Sequence, residues 1–346
     1  MTRGGARPRT AVTIADVAQA VGVATSTVSR ALMQPGRVSD EMRQRVLAAA
    51  EELGYQPNPH ARSLLSGRNH AVALLVPDVT NPFYFGLIRG TQGQAKARGY
   101  RQVLVDTEAS ASVEAATIRD IAGSVDGLIL AASKLSDAQL QETYTRIPIV
   151  LVNRDVPEVP SVVLDTPMGF MQAVEHLASF GHRSVVYIAG PSSSWTTRRR
   201  WRALQPVTRR LGITVQQLGP YSPTGEAGAA AAEAVLNTEA TACLFFNDMQ
   251  AIGALRRFAE RGIRVPGDLS VVGSGDIYGA DFCNPTLTTV VTPIEDAGRV
   301  ATDILVGAIE AFDSPAGPPR VHEVLPTHLT VRESTGPAPT GRRPAP

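Results

Sequence analysis

Residues 12–32 read VTIADVAQAVGVATSTVSRAL. Thr13 can cap a short helix, because its hydroxyl can accept from backbone N–H groups that have no intrahelical partner. Asp16 then falls in the first turn, where a carboxylate suits the positive end of the helix dipole. Ile14, Val17, Ala18 and Val21 recur at helical spacing and give one narrow apolar stripe. Gly22 can take the left-handed conformation that ends this helix and turns the chain. Val23 and Val28 anchor a second helix across the first, leaving Thr25, Ser26, Thr27, Ser29 and Arg30 on its outer face. A small residue at the crossing, glycine at the turn and a polar second helix spell a helix-turn-helix. A plain helical hairpin with a solvated face fits the same spacing, and the rest of the chain argues against it.

Working outward, residues 1–11 are rich in Gly, Arg and Pro and are expected to be a disordered basic arm. After the second helix, Gln34-Pro35-Gly36 reads as a loop, and Ser39 caps a third helix running through Leu53. Asp40 and Glu41 occupy its first turn, Gly54 closes it, and Met42, Val46, Ala49 and Leu53 give it a covering face. Residues 12–57 are thus expected to form a compact three-helix head. In residues 58–68 Asn58 is a good cap, Pro59 suits a first helical position and Gly67 suits a stop. About two turns of helix result, too few to be stable alone. A hinge helix formed only when held is one reading; a plain linker is the other.

Charge separates this head from the body. Residues 1–68 hold nine arginines against five carboxylates, a net +4, so the other 278 residues carry −3 of the chain's +1. A basic head on a mildly acidic body implies a polyanionic partner for the head alone. Two cysteines make no disulfide framework and have no metal-ligand neighbours. The polar start MTRGGARPRT is no signal peptide, and no apolar run is long enough to span a bilayer, so a cytoplasmic location is expected.

From Ala71 the pattern changes to βα alternation. AVALLVPDV, RQVLVDT, VDGLILAAS and IPIVLVNRD read as strands, and HRSVVYIAG, ATACLFFND and LSVVGSGD repeat the scheme, with helices between. Continuous apolar strands alternating with helices mean parallel sheets covered on both faces. About eight strands over about 260 residues are many for one open sheet, so residues 69–333 are expected to form two α/β lobes. Polar residues cluster just after strand ends: Asp78, Asn81, Asn153, Arg154, Asp165, Asn247, Asp248 and Asp276. Open α/β sheets bind ligands there. Residues 334–346, rich in Pro and Gly, are expected to be a disordered tail.

The chain holds no GxxxxGK[ST], GxSxG or HExxH and no Cys/His metal spacing. GPSSSW at 190–195 lacks the lysine and glycine spacing of a phosphate loop. Asp276 and Asp281 lack a companion nucleophile, which points to ligand binding rather than catalysis. Neither an enzyme nor a cofactor is expected.

The head, PNPHARSL, VPDVTNPFY, FGHRSVVYIAGP, FNDMQAIGAL and VPGDLSVVG together resemble the lactose/galactose-repressor (LacI/GalR) family of bacterial transcription regulators. The likeness runs in order from about Val12 to Arg332. It implies a helix-turn-helix head, a hinge helix and a two-lobed domain like periplasmic sugar-binding proteins. It also implies a homodimer on a pseudo-palindromic operator in double-stranded DNA, with a small effector in the cleft, a sugar or sugar derivative. By this resemblance Thr25, Ser26 and Arg30 read bases, Arg30 suiting guanine because its fork meets O6 and N7 together. Thr13, Thr27, Ser29 and Arg37 match phosphate contacts. Asn58, Ala61 and Leu64 belong to the hinge, with Leu64 wedged between base steps in the minor groove. In the cleft, Phe83 and Tyr84 match the aromatic position that packs on effectors, and Asn153, Arg200 and Asn247 its polar contacts. Arg200 sits in the run RRRWR, where a solvated charge is the bland alternative.

Three departures bear on the ligand and the head. Ala24 stands where the family usually has a serine capping the second helix, a loss of ~1 kcal/mol of helix-start stability. Ser274-Gly275-Asp276 replaces the usual aromatic-Asp-Asp, so one cleft carboxylate is missing, and Asp276 is the candidate to compensate. Thr166 replaces a common asparagine. A periplasmic-type solute-binding protein would share the two lobes but has no use for residues 12–68.

Overall fold

The computed structural model describes residues 12–33, 36–55, 68–312, 314 and 320–340. They belong to two units, Met1–Asn69 and His70–Pro346. The basic arm, most of the hinge and residues 341–346 lie outside the described residues.

The first unit holds α1 (Ile14–Val21), α2 (Thr25–Met33) and α3 (Asp40–Glu52). Thr13 and Asp16 form a capping box, the carboxylate accepting from the N–H and hydroxyl of Thr13 at 2.7 and 2.8 Å. Those bonds hold the Asp16 carboxyl below the usual carboxylate range. Gly22 has φ +73, and its N–H and that of Val23 both reach the Ala18 carbonyl, closing α1. Val17, Val28 and Val46 have no exposed surface and join Ala18, Val21, Ala31 and Ala50 in one core. Arg45 donates to the Val21 carbonyl at 3.2 Å, so α3 satisfies an orphan acceptor at the end of α1. Leu53, expected on the covering face, is exposed; it follows the last residue of α3, and Ala50 is buried instead.

The second unit has two six-stranded sheets. In chain order its elements begin with β1 (Ala71–Val76), α4 (Phe83–Ala97), β2 (Arg101–Asp106), α5 (Ala111–Ile121), β3 (Gly127–Ala131), α6 (Asp137–Arg146), β4 (Ile149–Val152) and β5 (Ser161–Leu164). There follow α7 (Thr166–Ser179), β6 (Ser184–Ile188), α8 (Trp195–Arg210), β7 (Thr214–Leu218), α9 (Gly225–Leu236), β8 (Ala242–Phe245), α10 (Asp248–Glu260) and β9 (Ser270–Gly275). The chain ends with β10 (Thr288–Val291), α11 (Ile294–Ala311), β11 (His322–Leu325) and β12 (His328–Thr330). The sheets run β11-β5-β4-β3-β1-β2 and β12-β10-β9-β8-β6-β7. All pairings are parallel except β10 with β12.

The central strands β1, β3, β4, β8 and β9 are buried along their whole length. That is why they read as unbroken apolar runs. Glycine sets how closely helices pack: a Cβ on Gly228 of α9 would lie 2.0 Å from the Gln250 carbonyl oxygen, and one on Gly253 of α10 2.0 Å from that of Gly225.

The chain passes between the lobes near Asp165, at Thr292–Pro293 and at 326–327. The first and last passages are tied together. The Asp165 N–H donates to the Leu325 carbonyl, and the Thr327 hydroxyl donates to the Asp165 carbonyl at 2.7 Å.

The expected disordered tail is overturned through Ala338. Ser334 and Thr335 are buried. The Ser334 hydroxyl donates to the Val271 carbonyl at 2.6 Å and accepts from the Thr288 N–H at 2.8 Å. His182, fully buried, contacts the Gly336 carbonyl, and the Ala338 N–H donates to Phe180. Burial lowers the pKa of His182, so it stays neutral in this clamp. Side-chain and main-chain pairing holds a segment whose composition looks unstructured.

Candidate functional site

The head presents a polar face on α2. Thr25, Ser26 and Arg30 are exposed, Thr27 and Ser29 are half-buried, and Thr13 and Arg37 are exposed on neighbouring segments. Arg30 lies back along its own helix, its Nε donating to the Ser26 carbonyl at 3.1 Å. Its guanidinium is thereby steadied on the exposed face beside the hydroxyl of Ser26, 3.4 Å away. Ala24 precedes α2 and offers no side-chain oxygen to its first N–H groups; its carbonyl accepts from Val28. Asn58, Ala61 and Leu64 lie outside the described residues.

In the second unit a cleft of about 550 Å³ opens at the carboxyl ends of both sheets. Phe83, Tyr84, Asn153, Arg200 and Asn247, named from the sequence, all line it. Each is positioned by its element. Phe83 opens α4, where its N–H is held by the Asn81 side chain at 3.0 Å, and its ring meets Tyr84 edge-on. Burial and nearby Asp78 push the Tyr84 phenol pKa up. Asn153 follows β4 with φ +59, a conformation asparagine tolerates. Asn247 caps α10, accepting from the Gln250 N–H at 3.0 Å and donating to the Pro223 carbonyl at 3.1 Å. Those bonds hold its amide at the wall.

Arg200 is 5% exposed and projects from α8 into the floor of the cleft, which removes the solvated-charge alternative. Its donors go to neutral oxygens: Nε to Thr166 Oγ1 at 3.0 Å, Nη1 to the Phe246 carbonyl at 2.5 Å and Nη2 to Ser274 Oγ at 3.2 Å. The guanidinium carbon lies 4.5 Å from the Phe170 ring centre and 5.1 Å from that of Phe246. Two departures noted in the sequence, Thr166 and Ser274, are therefore what holds this arginine. Burial lowers its pKa, while Tyr187 and Asp248 favour the charged form.

Asp248 lies behind that floor, fully buried. It accepts from Thr289 Oγ1 at 2.6 Å and the Ile277 N–H at 3.0 Å. Burial nevertheless pushes its carboxyl up to about 6.

Asp276 does not join the cleft. Gly275 has φ +135 and Asp276 φ +51, and the Asp276 carboxylate pairs with Arg332 at 2.7 Å. It lines a separate depression of about 420 Å³ with Phe85, Arg89 and Tyr278. The missing carboxylate is not replaced from this position.

The cleft contains residues the sequence reading did not single out as ligand contacts. Asp106 ends β2 and Glu108 follows it, Lys134 follows β3, and Ser193, Ser194 and Thr196 lie where α8 begins. The loop carrying Lys134 is fixed by Glu114, which accepts from the Lys134 N–H at 2.8 Å, and by Arg154, which donates to the Ser133 and Leu135 carbonyls. Burial raises the Glu114 pKa and lowers that of Lys134. Their common signal was position just beyond a strand end. The wall thus mixes carboxylate acceptors, cationic donors, hydroxyls and aromatic rings. It suits a small polar ligand with hydroxyls to donate and a face to stack. Among the described residues no three His, Cys, Asp or Glu side chains are grouped to hold a metal ion, and no helix is long and apolar enough to cross a membrane.

Comparison with known proteins agrees with this architecture. Residues 13–58 match the model "Bacterial regulatory proteins, lacI family", and residues 174–335 match "Periplasmic binding protein-like domain". The HTH-type transcriptional repressor CytR of Escherichia coli (strain K12) is 34% identical over 338 residues, covering 95% of this chain and 98% of the relative. The ribose operon repressor of Halalkalibacterium halodurans is 34% identical over 327 residues, covering 93% and 97%. Among solved structures, the lac repressor dimer bound to operator and the anti-inducer ONPF superposes with a TM-score of 0.83 at 26% identity, covering 94% of this chain and 100% of that one. The transcriptional regulator CelR–cellobiose complex gives 0.68 at 30% identity, covering 95% and 100%.

Proposed function

Because the chain belongs to the lacI family of bacterial regulatory proteins, we propose that it is a sequence-specific DNA-binding regulator of transcription, a repressor, whose operator affinity is set by a small molecule in the cleft. The observation that carries the reading is the capped three-helix head with its exposed polar α2, in one chain with a ligand-sized cleft floored by a buried arginine. In this reading Thr25, Ser26 and Arg30 meet base edges, and Thr13, Thr27, Ser29 and Arg37 meet phosphates. Asn58, Ala61 and Leu64 form the hinge contact with the minor groove. The protein acts as a homodimer on two half-sites, in the cytoplasm, and catalyses no reaction.

The cleft ligand is a sugar or sugar derivative. Asp78, Asp106 and Glu108 line the cleft as acceptors for ligand hydroxyls, and Arg200, Lys134 and Asn153 as donors to ligand oxygens. Phe83 and Tyr84 offer the stacking face. A ligand alters DNA affinity only through unequal binding to two arrangements of the protein. The cleft between two lobes, joined at three chain passages, is where such a difference arises.

Gel shifts on genomic fragments across a salt series test the DNA half. A specific fragment should bind tightly, and its affinity should fall steeply with salt, because neutralising phosphates releases counterions. A panel of sugars, nucleosides and sugar phosphates added to that complex tests the cleft half. Binding that ignores both sequence and salt would sink the proposal.

A further inference from the structure

The outer face of α8 is densely basic. Its sequence, WTTRRRWRALQPVTRR, has six arginines and no carboxylate in sixteen residues. One turn of helix per 3.6 residues puts Trp195, Arg198, Arg199, Arg202, Pro206, Arg209 and Arg210 in one stripe. The buried Thr196, Thr197, Arg200, Leu204, Val207 and Thr208 lie on the opposite side. From Arg198 to Arg209 the stripe is about 16 Å long at 1.5 Å per residue.

Elsewhere in the unit surface arginines are commonly matched by an acid one turn away. Arg146 pairs with Glu142, Arg256 with Glu260 and Arg299 with Glu295. On α8 only Arg210 has a carboxylate partner, Glu175 of α7, and none is matched within its own helix. Arg198, Arg199, Arg202 and Arg209 have no carboxylate within 4.0 Å among the described residues. Like charges spaced three and four residues apart disfavour a helix, so the arrangement works against local stability.

Three of the four are also held in place. Arg198 Nη1 donates to the Ser192 and Ser193 carbonyls, and Arg209 Nε to the Gln205 carbonyl. The Arg199 guanidinium lies over the Trp195 ring at 4.6 Å. Those contacts leave nitrogens of each fork unspent on a steadied side chain, which lowers the entropy lost on binding.

We propose that this stripe is a docking surface for an acidic segment of another protein, its carboxylates meeting the arginine forks. Arginine and tryptophan are the residues that anchor protein interfaces, and the fork matches a carboxylate with two parallel hydrogen bonds. Nucleic acid fits less well. The Trp195 ring already stacks on Arg199 and is not free to stack on a base, and the head carries its own polar face for DNA.

The test uses the full chain and a fluorescent sixteen-residue helical peptide bearing glutamates at i, i+4 and i+7, followed by anisotropy at physiological salt. The triple variant Arg198→Ala/Arg202→Ala/Arg209→Ala should bind the peptide at least tenfold more weakly than wild type. A control removing three paired arginines, Arg146→Ala/Arg256→Ala/Arg320→Ala, should bind as wild type does. Thermal melting of both variants checks that the lobe is intact. If both variants lose affinity equally, bulk charge is responsible, and if neither differs from wild type the stripe takes no part in binding; either result overturns the docking surface. If instead the triple variant keeps the peptide and loses affinity for a random DNA duplex, the stripe is a nucleic-acid contact and the proposal fails.

Discussion

Replacing Asp248 by Asn should stabilise the second lobe near neutral pH and much less in mild acid. Burial pushes the carboxyl up to about 6 in the folded protein, against 3.8 for an unburied aspartate. The folded chain therefore holds this proton more tightly than the unfolded chain. Its stability contribution is complete below about pH 3.8, is lost as pH rises from there to about 6, and stays lost above. The two plateaus differ by about 3 kcal/mol, of which about 2 kcal/mol falls between pH ~4.5 and ~7.5. An asparagine resembles the protonated carboxyl in charge and size. Its oxygen can still accept from the Ile277 N–H and its NH₂ can face the Thr289 hydroxyl, the groups that now bond the carboxylate. Trp195 and Trp201 are the chain's only tryptophans and both lie on α8 in the same lobe, so urea titration followed by their fluorescence reports this region. The gain of Asp248→Asn over wild type should grow by about 2 kcal/mol between the two pH values. A difference that does not change with pH, or that shrinks as pH rises, would refute the reasoning.

Arg30→Ala should weaken operator binding by ~1–3 kcal/mol and random-duplex binding far less; equal losses in gel shifts would reduce Arg30 to a phosphate contact. Gly253→Ala should destabilise the protein by ~1–3 kcal/mol or more, because the new Cβ would lie 2.0 Å from the Gly225 carbonyl oxygen and force α9 and α10 apart. An unchanged melting temperature would show that the two helices yield freely. Arg200→Met should change urea stability by no more than ~1–2 kcal/mol, since the buried guanidinium has neutral partners and burying it is itself unfavourable. The same variant should lose the thermal shift that wild type shows with its stabilising sugar, and an equal shift in both would remove Arg200 from the ligand site.

The helix-turn-helix was legible because its determinants are local. Ala18, Gly22 and the valine spacing act within a single turn or crossing, and nothing distant overrides them. The same holds for β1, β3, β4, β6, β8 and β9, whose apolar runs are long enough to stand out. β7, TVQQL, and β11, HEVL, escaped notice because each is largely exposed at a sheet edge and is a strand only through its neighbour. The tail shows the same limit. Ser334 and Thr335 are buried because Val271 and Thr288, some 50 to 60 residues earlier, bond Ser334, and composition carries no trace of that. Within RRRWR the chemistry alone left several arginines equivalent. Only the helix rotation that buries Thr196, Thr197, Leu204 and Val207 sends Arg200 inward. Asp276 failed as a cleft residue because a left-handed backbone and a pairing with Arg332, 56 residues later, turn it elsewhere, and neither is visible in an Asp that follows Gly.

The order of the strands also bears on synthesis. The head has its whole core by Tyr55, whereas the first sheet lacks β11 until residues 322–325 and the second lacks β12 until residues 328–330. A ribosome adds roughly 5–20 residues per second, so some 15 to 50 s separate the two events. For that interval a nascent chain carries a finished reading head and an unfinished sensor, with β5 and β10 still open at their edges. Premature termination between β10 and β11 therefore leaves a complete head core joined to two sheets that each lack an edge strand.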